Sequence, residues 1–373
     1  DFSPNLMFLT KPMKKTKRNP VHHNLGAKMV SFGGFEMPVS YTSIKEEHHC
    51  VREKVGVFDV SHMGEFFVEG HQALTLLQRA CSNDISKLIP GKAQYNYFPN
   101  HGGGIVDDLI VYQIANEKYM LVVNASNIEK DWAWINEINK EFNASISNAS
   151  DEYSLLAIQG PKAIEAVQTL TPFDLSSLVF YAHTTTSFAG IDEVIVATTG
   201  YTGSGGLEVY CKNTDVAAIW EAVFSAGASF GIQPIGLAAR DSLRLEMGYC
   251  LYGNEINDTS SPIAAGLGWV TRPATNFTNA DAIGKQKSEG VDQALVGFEL
   301  TERGIPRTGH TIVDQNGNRI GQVTSGTQSP SLNKAIGLGY VSKKYALPGS
   351  VFGVQIRNKN ITAKVVPLPF YTS

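Results

Sequence analysis

The chain has 373 residues, of which 43% are hydrophobic and 18% are charged, and its formal net charge is −4. This length exceeds what one hydrophobic core usually supports, so we expect two or three domains. The charge balance argues against a nucleic-acid partner, and no apolar run in the sequence approaches the roughly 20 residues that span a bilayer, so no membrane contact is expected.

The cysteines and the first residues bear on the location of the protein. The 4 cysteines are scattered without the spacing of a metal site or a disulfide framework, which favours reduced thiols. Residues 1–10 lack the basic and apolar regions of a secretory signal. We therefore expect a cytoplasmic protein, or a mitochondrial matrix protein if the source is eukaryotic.

Helical and strand-like patterns alternate along most of the chain. Ser126 and Glu129 have the spacing of a capping box, which predicts a helix that ends near Phe142. Strand patterns at 193–198 and 207–211 predict a hairpin-like pair, and helical patterns follow at 215–228 and 237–247. The last ninety or so residues alternate strand-like runs with turn signals such as Asn316-Gly317, which predicts a small β-barrel or sandwich. No internal repeat is evident.

Two adjacent aspartates, Asp107 and Asp108, interrupt an apolar run that follows three glycines. The run is rich in Ile, Val and Tyr and predicts a β-strand, in which neighbouring side chains point to opposite faces. We expect at least one carboxylate to point inward, where it needs a hydrogen-bond donor, a cation or a ligand. The alternative is an aspartate that accepts a hydrogen bond from backbone at a strand edge.

His48 and His49 lie in a charged run and invite comparison with a metal site. Adjacent helical residues point about 100° apart, so the pair cannot chelate an ion from one face as residues four apart can. We predict no metal.

Several segments in this order resemble the aminomethyltransferase, or T-protein, family of the glycine cleavage system. Besides the strand with the two aspartates, they are LGAKMV at 25–30, FGGFEMPV at 32–39, VFDVSHMGE at 57–65, YTG at 201–203, LAARDSLRLE at 237–246, LYGNE at 251–255 and RGIPR at 303–307. Each is weak alone, but their order and spread are specific.

The resemblance implies an α+β, three-domain, cloverleaf-like folate-binding fold with a C-terminal β-barrel domain. It places domain 1 at 11–64 and 159–255, domain 2 at 65–158, a connecting segment at 256–284 and the barrel at 285–373. It also implies the reaction: the one-carbon unit of the aminomethyl group on the lipoylated H-protein passes to tetrahydrofolate, with release of ammonia, as 5,10-methylene-tetrahydrofolate. Tetrahydrofolate is thus the implied co-substrate and the H-protein the implied partner.

The resemblance also assigns roles to individual residues. Asp108 matches the catalytic carboxylate, which would stabilise positive charge that develops on the folate amine, and Asp107 is left a structural role. Glu208 matches the glutamate that accepts hydrogen bonds from the pterin, and Arg240 an arginine able to hold a carboxylate of the glutamyl tail. Positions similar to the residues that line the family's folate channel are Met63, Tyr95, Tyr112, Asn124, Tyr201, Tyr249 and Tyr371.

Two other functions use the same fold and stay open at this point. One is a folate-dependent demethylase of a small methylated compound; the absence of a G-x-G-x-x-G near the N-terminus argues against its flavin-fused relatives. The other is a non-enzymatic folate-binding protein that supports iron–sulphur enzymes and resembles this chain around a Lys-Gly-Cys-Tyr motif. Residues 247–252 read MGYCLY instead, which favours the transferase.

Overall fold

The computed structural model describes residues 13–372. The predictions for residues 1–10, and the parts of the predicted domains at residues 11, 12 and 373, lie outside the described residues. The β-strands are β1 Lys14–Lys15, β2 Lys28–Phe32, β3 Phe35–Ser40, β4 Gly56–Asp59, β5 Gly64–Glu69, β6 Lys92–Pro99, β7 Ile105–Ala115, β8 Lys118–Val123, β9 Ser145–Asn148, β10 Tyr153–Gln159, β11 His183–Phe188, β12 Ile191–Ala197, β13 Gly206–Lys212, β14 Gln233–Pro234, β15 Gln293–Leu300, β16 Thr311–Val313, β17 Arg319–Gln328, β18 Ala335–Ser342, β19 Val351–Ile356 and β20 Lys359–Val366. The α-helices are α1 Asn19–Asn24, α2 Ile44–Glu53, α3 Ala73–Ala80, α4 Ile128–Asn139, α5 Ala163–Val167, α6 Val216–Gly227, α7 Leu237–Glu246 and α8 Ala280–Glu289.

These strands form three open sheets and one closed barrel. A 6-stranded sheet has the order β11-β12-β13-β10-β4-β14, and a 5-stranded sheet has the order β6-β7-β8-β5-β9. A 3-stranded sheet, β1-β3-β2, precedes them, and β15-β18-β17-β16-β19-β20 close into the barrel. The C-terminal β-barrel expected from the sequence is therefore present, whereas the domain boundaries stay a prediction.

The two larger sheets are copies of one supersecondary unit. Each unit runs strand, helix, three strands, helix, short strand, and the strand order is the same in both once β4 is set aside. The same small turn occurs in both units. Asp84 accepts hydrogen bonds from the Ser86 backbone and hydroxyl in the first unit, and Asp174 accepts the same two from Ser176 in the second. The expectation of no internal repeat is wrong. Few positions recur identically because a core accepts many apolar residues of similar volume.

The two units meet across a local pseudo-twofold axis. The Ala93 amide donates to the Tyr181 carbonyl and the His183 amide donates to the Gly91 carbonyl, each at 2.9 Å. Lys92 and Ala182 form the bridge between these reciprocal hydrogen bonds. The sheets therefore join edge to edge at β6 and β11, and one shared apolar core packs between their facing sides, including Tyr112, Met120, Leu155, Tyr210 and Leu243.

The predicted helix at residues 126–142 exists, but it begins differently. A short 3₁₀ turn, Ala125–Asn127, precedes α4, and neither Ser126 nor the N-cap Asn127 makes a side-chain capping bond. The Asn127 amide instead donates to Asp107 at 2.6 Å. A capping box does occur at Ser43 and Glu46, at the start of α2. The capping prediction at Ser126 is wrong because Ser126 lies within the 3₁₀ turn, one residue before the N-cap, and the side chain of the N-cap Asn127 bonds to Asp107 instead of the helix end.

The helices of residues 13–372 are short. None of them combines the length and the apolar composition that crossing a membrane requires.

Candidate functional site

Asp107 and Asp108 lie on opposite faces of β7, as strand geometry requires. Asp107 is fully buried and accepts hydrogen bonds from the Asn124 backbone and side chain, at 2.9 Å each, and from Asn127. Asp108 faces the other way and accepts from the Tyr95 hydroxyl at 2.8 Å and from the Asn124 amide at 2.9 Å. The residue before β7 must be a glycine. Gly104 packs so closely against the Asp258 carbonyl that a Cβ at this position would lie 1.8 Å from the oxygen.

The surroundings of Asp108 shift its proton affinity. Burial and the nearby Asp107 charge raise the pKa of Asp108 to about 7, although the hydrogen bonds from Tyr95 and Asn124 oppose the change. A carboxyl group with this pKa is present in both protonation states near neutral pH. It can therefore accept or donate a proton, or stabilise a cation, within the physiological range.

Glu208 accepts hydrogen bonds from two hydroxyl groups, and a third hydroxyl group links those two. Its Oε2 accepts from Thr199 at 2.6 Å and from Tyr210 at 3.3 Å, and the hydroxyls of both residues lie 2.9 Å from the Tyr112 hydroxyl. Within residues 13–372, no donor is paired with Oε1. Tyr112 is fully buried, so it positions the groups that hold Glu208 and offers no surface to a ligand.

Arg240 and Arg244 lie one turn apart on α7 but differ in their partners. The buried Arg244 donates to Asp241 and Glu255, at 2.8 Å each, and to the Tyr249 carbonyl. Arg240 lies over the Tyr201 ring, 4.8 Å from its centroid, and its buried Nη1 has no partner among the described residues. Burial lowers the pKa of Arg240, while the Glu208 charge opposes that shift. Arg240 is therefore a charged group with an unused donor within electrostatic range of Glu208.

Aromatic rings flank these polar groups. Tyr201 and Tyr249 stack with centroids 5.8 Å apart, and the Tyr201 hydroxyl donates to the Cys250 carbonyl. Tyr95 stacks on Trp269, also at 5.8 Å, and Trp269 is 61% exposed. Met63 is half-buried and packs against the core between the sheets. Flat rings beside a few polar groups are suited to binding a planar heterocycle.

Sequence reasoning missed several residues that the fold brings to this region. Burial and the charges of Glu208, Tyr249 and Asp108 raise the pKa of Tyr181, which places Tyr181 within electrostatic reach of both carboxylates. Burial and the Arg240 charge lower the pKa of His62 to about 4, so a neutral imidazole lies near the guanidinium. Trp269 and Tyr210 were also missed. The internal repeat was the signal that could have pointed to Tyr181, since Tyr181 lies next to the pseudo-twofold axis and accepts one of the two reciprocal hydrogen bonds there.

Tyr371 contacts Arg52 and the end of α7. Its ring faces the Arg52 guanidinium at 4.4 Å, and its backbone amide donates to the Glu246 carbonyl at 3.1 Å. Arg52 in turn donates to the Ser204 hydroxyl and to the Thr202 carbonyl, both at 2.6 Å. Arg52 therefore holds this loop through two neutral acceptors, a carbonyl and a hydroxyl group.

His48 and His49 point in different directions and have different partners. His48 is buried and contacts Ser242, Ser331 and Glu246, whereas His49 points away toward Glu53. In the part of the chain that the structure describes, no group of three or more His, Cys, Asp or Glu side chains could hold a metal ion.

Comparisons with known proteins point to one family. Residues 19–275 match the model of the GCVT N-terminal domain, and residues 293–372 match that of the glycine cleavage T-protein C-terminal barrel domain. The aminomethyltransferase of Flavobacterium psychrophilum is 58% identical over 96% of this chain and 99% of its own length, and that of Bacteroides thetaiotaomicron is 53% identical over the same shares.

A solved structure agrees as well. The glycine cleavage system aminomethyltransferase T of Bartonella henselae superimposes with a TM-score of 0.90 at 33% identity, covering 96% of this chain and 98% of that one. The predicted α+β fold class with its C-terminal barrel is confirmed, and so is the resemblance of the sequence. The chain belongs to the glycine cleavage T-protein family of aminomethyltransferases.

Proposed function

We propose that the protein takes the one-carbon unit from the aminomethyl group on the lipoyl arm of an H-protein and transfers it to tetrahydrofolate. Ammonia leaves and 5,10-methylene-tetrahydrofolate is the product. The cytoplasm, or the mitochondrial matrix in a eukaryote, supplies both substrates. The proposal rests on family membership and on one arrangement. Asp108 and Glu208, from two different sheets, both lie within electrostatic range of Tyr181, and Arg240, whose Nη1 has no partner among the described residues, lies within electrostatic range of Glu208.

The unmet hydrogen-bonding capacity of the site suits a reduced folate. The pterin ring carries N–H donors for Glu208 Oε1, and the glutamyl tail carries carboxylates for Arg240. The ring pairs Tyr201–Tyr249 and Tyr95–Trp269 supply flat apolar walls. The hydrogen bonds of Glu208 Oε1 and Arg240 Nη1 are ones that the described protein atoms leave unmade.

In this proposal Asp108 acts on the reacting atoms. The folate supplies the amine that receives the one-carbon unit, and positive charge develops on that nitrogen. Asp108 stabilises the charge in its ionised form, held in place by Tyr95 and Asn124. Because its pKa is about 7, a nearby cation is enough to favour ionisation. The proton that the folate amine loses can pass to the Asp108 carboxylate, which can then give it to the departing ammonia.

The test is formation of methylene-tetrahydrofolate from aminomethyl-loaded H-protein and tetrahydrofolate, compared with a reaction that lacks the protein. We expect product well above that control, together with one equivalent of ammonia. Folate binding without product would reject the transferase. It would then support a demethylase with another donor, or a protein that only binds folate.

A further inference from the structure

Asp131 lies on α4 one turn after Asn127, whose side-chain amide donates to Asp107 at 2.6 Å, so Asp131 and Asn127 share one face of the chain next to β7. The Asp131 side chain is fully buried, and a hydrogen bond between the two carboxyl groups acts on the pKa of both Asp131 and Asp107. No donor from residues 13–372 reaches either of its oxygens. An ionised carboxylate can only accept hydrogen bonds, so two carboxyl groups can bond to each other only if one of them carries a proton.

The hydrogen-bond partners decide which group holds that proton. Burial raises the pKa of Asp107, but Asp107 also accepts three N–H donors from Asn124 and Asn127, which oppose this rise and favour its ionised form over that of Asp131. Asp131 has none. Burial and the Asp107 charge raise the pKa of Asp131 well above its usual range, and Lys130 offsets only part of this. The proton therefore resides on Asp131, which donates to Asp107.

One amide connects this pair to the catalytic face of the strand. The Asn124 side-chain nitrogen lies 2.9 Å from Asp107 Oδ1 and 2.9 Å from Asp108 Oδ1. It also approaches the Asp108 carbonyl at 3.2 Å. A chain of contacts thus runs from Asp131 through Asp107 and Asn124 to Asp108, and any change in the charge or orientation of Asp107 reaches Asp108 directly.

We propose that Asp131 is a positioning residue for the transfer reaction: as a neutral acid it keeps Asp107 ionised and oriented, and through Asn124 it fixes the orientation and the protonation of Asp108. The inference rests on the proposed role of Asp108. In this proposal the reaction depends on a second acid as well as on Asp108: a protonated carboxyl group buried on the opposite face of β7.

Other charged and titratable groups also face this cluster. Lys130 donates to the Tyr252 hydroxyl at 2.6 Å and pairs with Asp258. The charges of Asp107 and Asp131 add to the effect of burial on the pKa of Tyr252, and Tyr95 contacts Asp108 on the opposite face. These groups are unchanged in the variants below, so a difference between variants reports on Asp131 itself.

The first test compares Asp131→Asn with Asp131→Leu. An amide can still donate to Asp107, so we expect Asp131→Asn to keep the pH profile of kcat/KM. Leucine cannot donate, and Asp107 then becomes easier to protonate. A less negative Asp107 would lower the pKa of Asp108. We therefore expect the acidic limb of the kcat/KM profile to move down by about one pH unit. Equal shifts in both variants, or no shift in either while the parent protein is active, would overturn the proposal.

A second test does not depend on turnover or on the leucine variant. Infrared spectra of the intact protein at pH 7 should contain a protonated-carboxyl C=O band that Asp131→Asn removes. Glu65 is a second buried acid without partners in the described region, and burial raises its pKa, so Glu65→Gln assigns its separate band. If no band depends on Asp131, the proposal fails even in an active enzyme. If the parent protein makes no product, the proposed function fails while the band still locates the proton.

Discussion

The hydroxyl groups of Tyr112 and Tyr210 lie 2.9 Å apart and join the two large sheets directly behind Glu208. Tyr112 belongs to β7, the strand that carries Asp108, and Tyr210 belongs to β13, the strand that carries Glu208. The contact fixes the relative positions of the two strands that hold the candidate carboxylates. Rigid placement of this kind is what a site needs when two parts of one ligand must be held at once.

Glu208→Gln should weaken folate binding more than it slows turnover. The Kd for tetrahydrofolate is expected to rise about 10- to 100-fold, because hydrogen bonds to a charged group contribute about 1.5–3 kcal/mol. Turnover at saturating folate should fall much less. Binding is measured by calorimetric titration, and Asp192→Asn, an exposed carboxylate on the neighbouring strand β12, serves as the control. An unchanged Kd would remove Glu208 from the folate site.

Asp108→Asn should have the opposite pattern. The amide preserves the shape of the side chain and removes its charge, so folate binding should persist while kcat falls about 100-fold or more. Product formation and folate titration on the same preparation measure both effects. Loss of both properties, or of neither, would contradict this division of roles. Tyr95→Phe, which removes one donor to Asp108, should give a smaller loss of kcat and shift its acidic limb upward.

Arg240→Gln should separate the two ends of the folate. If the guanidinium holds the glutamyl tail, the Kd for tetrahydrofolate rises about 10-fold or more, while the Kd for a tetrahydropteroate analogue without the tail stays the same. Equal weakening for both ligands would place Arg240 at the pterin with Glu208. Arg272→Gln is the matched control because Arg272 is exposed. Circular dichroism should show little loss of stability, since Arg240 Nη1 has no protein partner among the described residues.

Glu246 should make the protein sensitive to acid. It accepts from Arg52 and Ser331 at 2.8 Å, Ser329 at 2.5 Å and His48 at 3.2 Å. Burial alone would raise the pKa of Glu246, but its partners, His48 first, outweigh burial and hold the pKa at about 2. The folded pKa lies below the unfolded value of about 4.3. The stabilisation is therefore complete above that value and is lost as the pH falls toward 2.

The measurement is urea denaturation at a series of pH values. Glu246→Gln should lower the free energy of unfolding at pH 7 by about 3 kcal/mol, because Arg52 is left without its buried partner. It should also flatten the decline between about pH 4.3 and pH 2. Glu129→Gln, on the exposed face of α4, should leave the profile unchanged. The same acid decline in both variants would show that Glu246 is not its source.

Parts of the site were readable from the sequence because they depend on local pattern. The run around Asp107 and Asp108 has the composition of a strand, and alternation alone places the two carboxylates on opposite faces. The order of short motifs was enough to indicate the family, which the comparisons confirm. The helices at 215–228 and 237–247 were predicted within one or two residues of α6 and α7, since their apolar periodicity and flanking turns are local signals.

The partners of those residues were decided only by the tertiary structure. Arg240 and Arg244 lie one turn apart on the same helix, so the sequence alone does not distinguish them. Arg244 is paired with Glu255, while Arg240 Nη1 has no partner among the described residues. The difference arises because strands and loops that are distant in sequence pack on α7. In the same way, Asn127 serves Asp107 instead of the helix end, and Asp131 meets Asp107 within a closed core. Sequence determines which residues can donate, accept or ionise. Their protonation and their unmet hydrogen bonds depend on burial and on contacts that form only when distant segments come together.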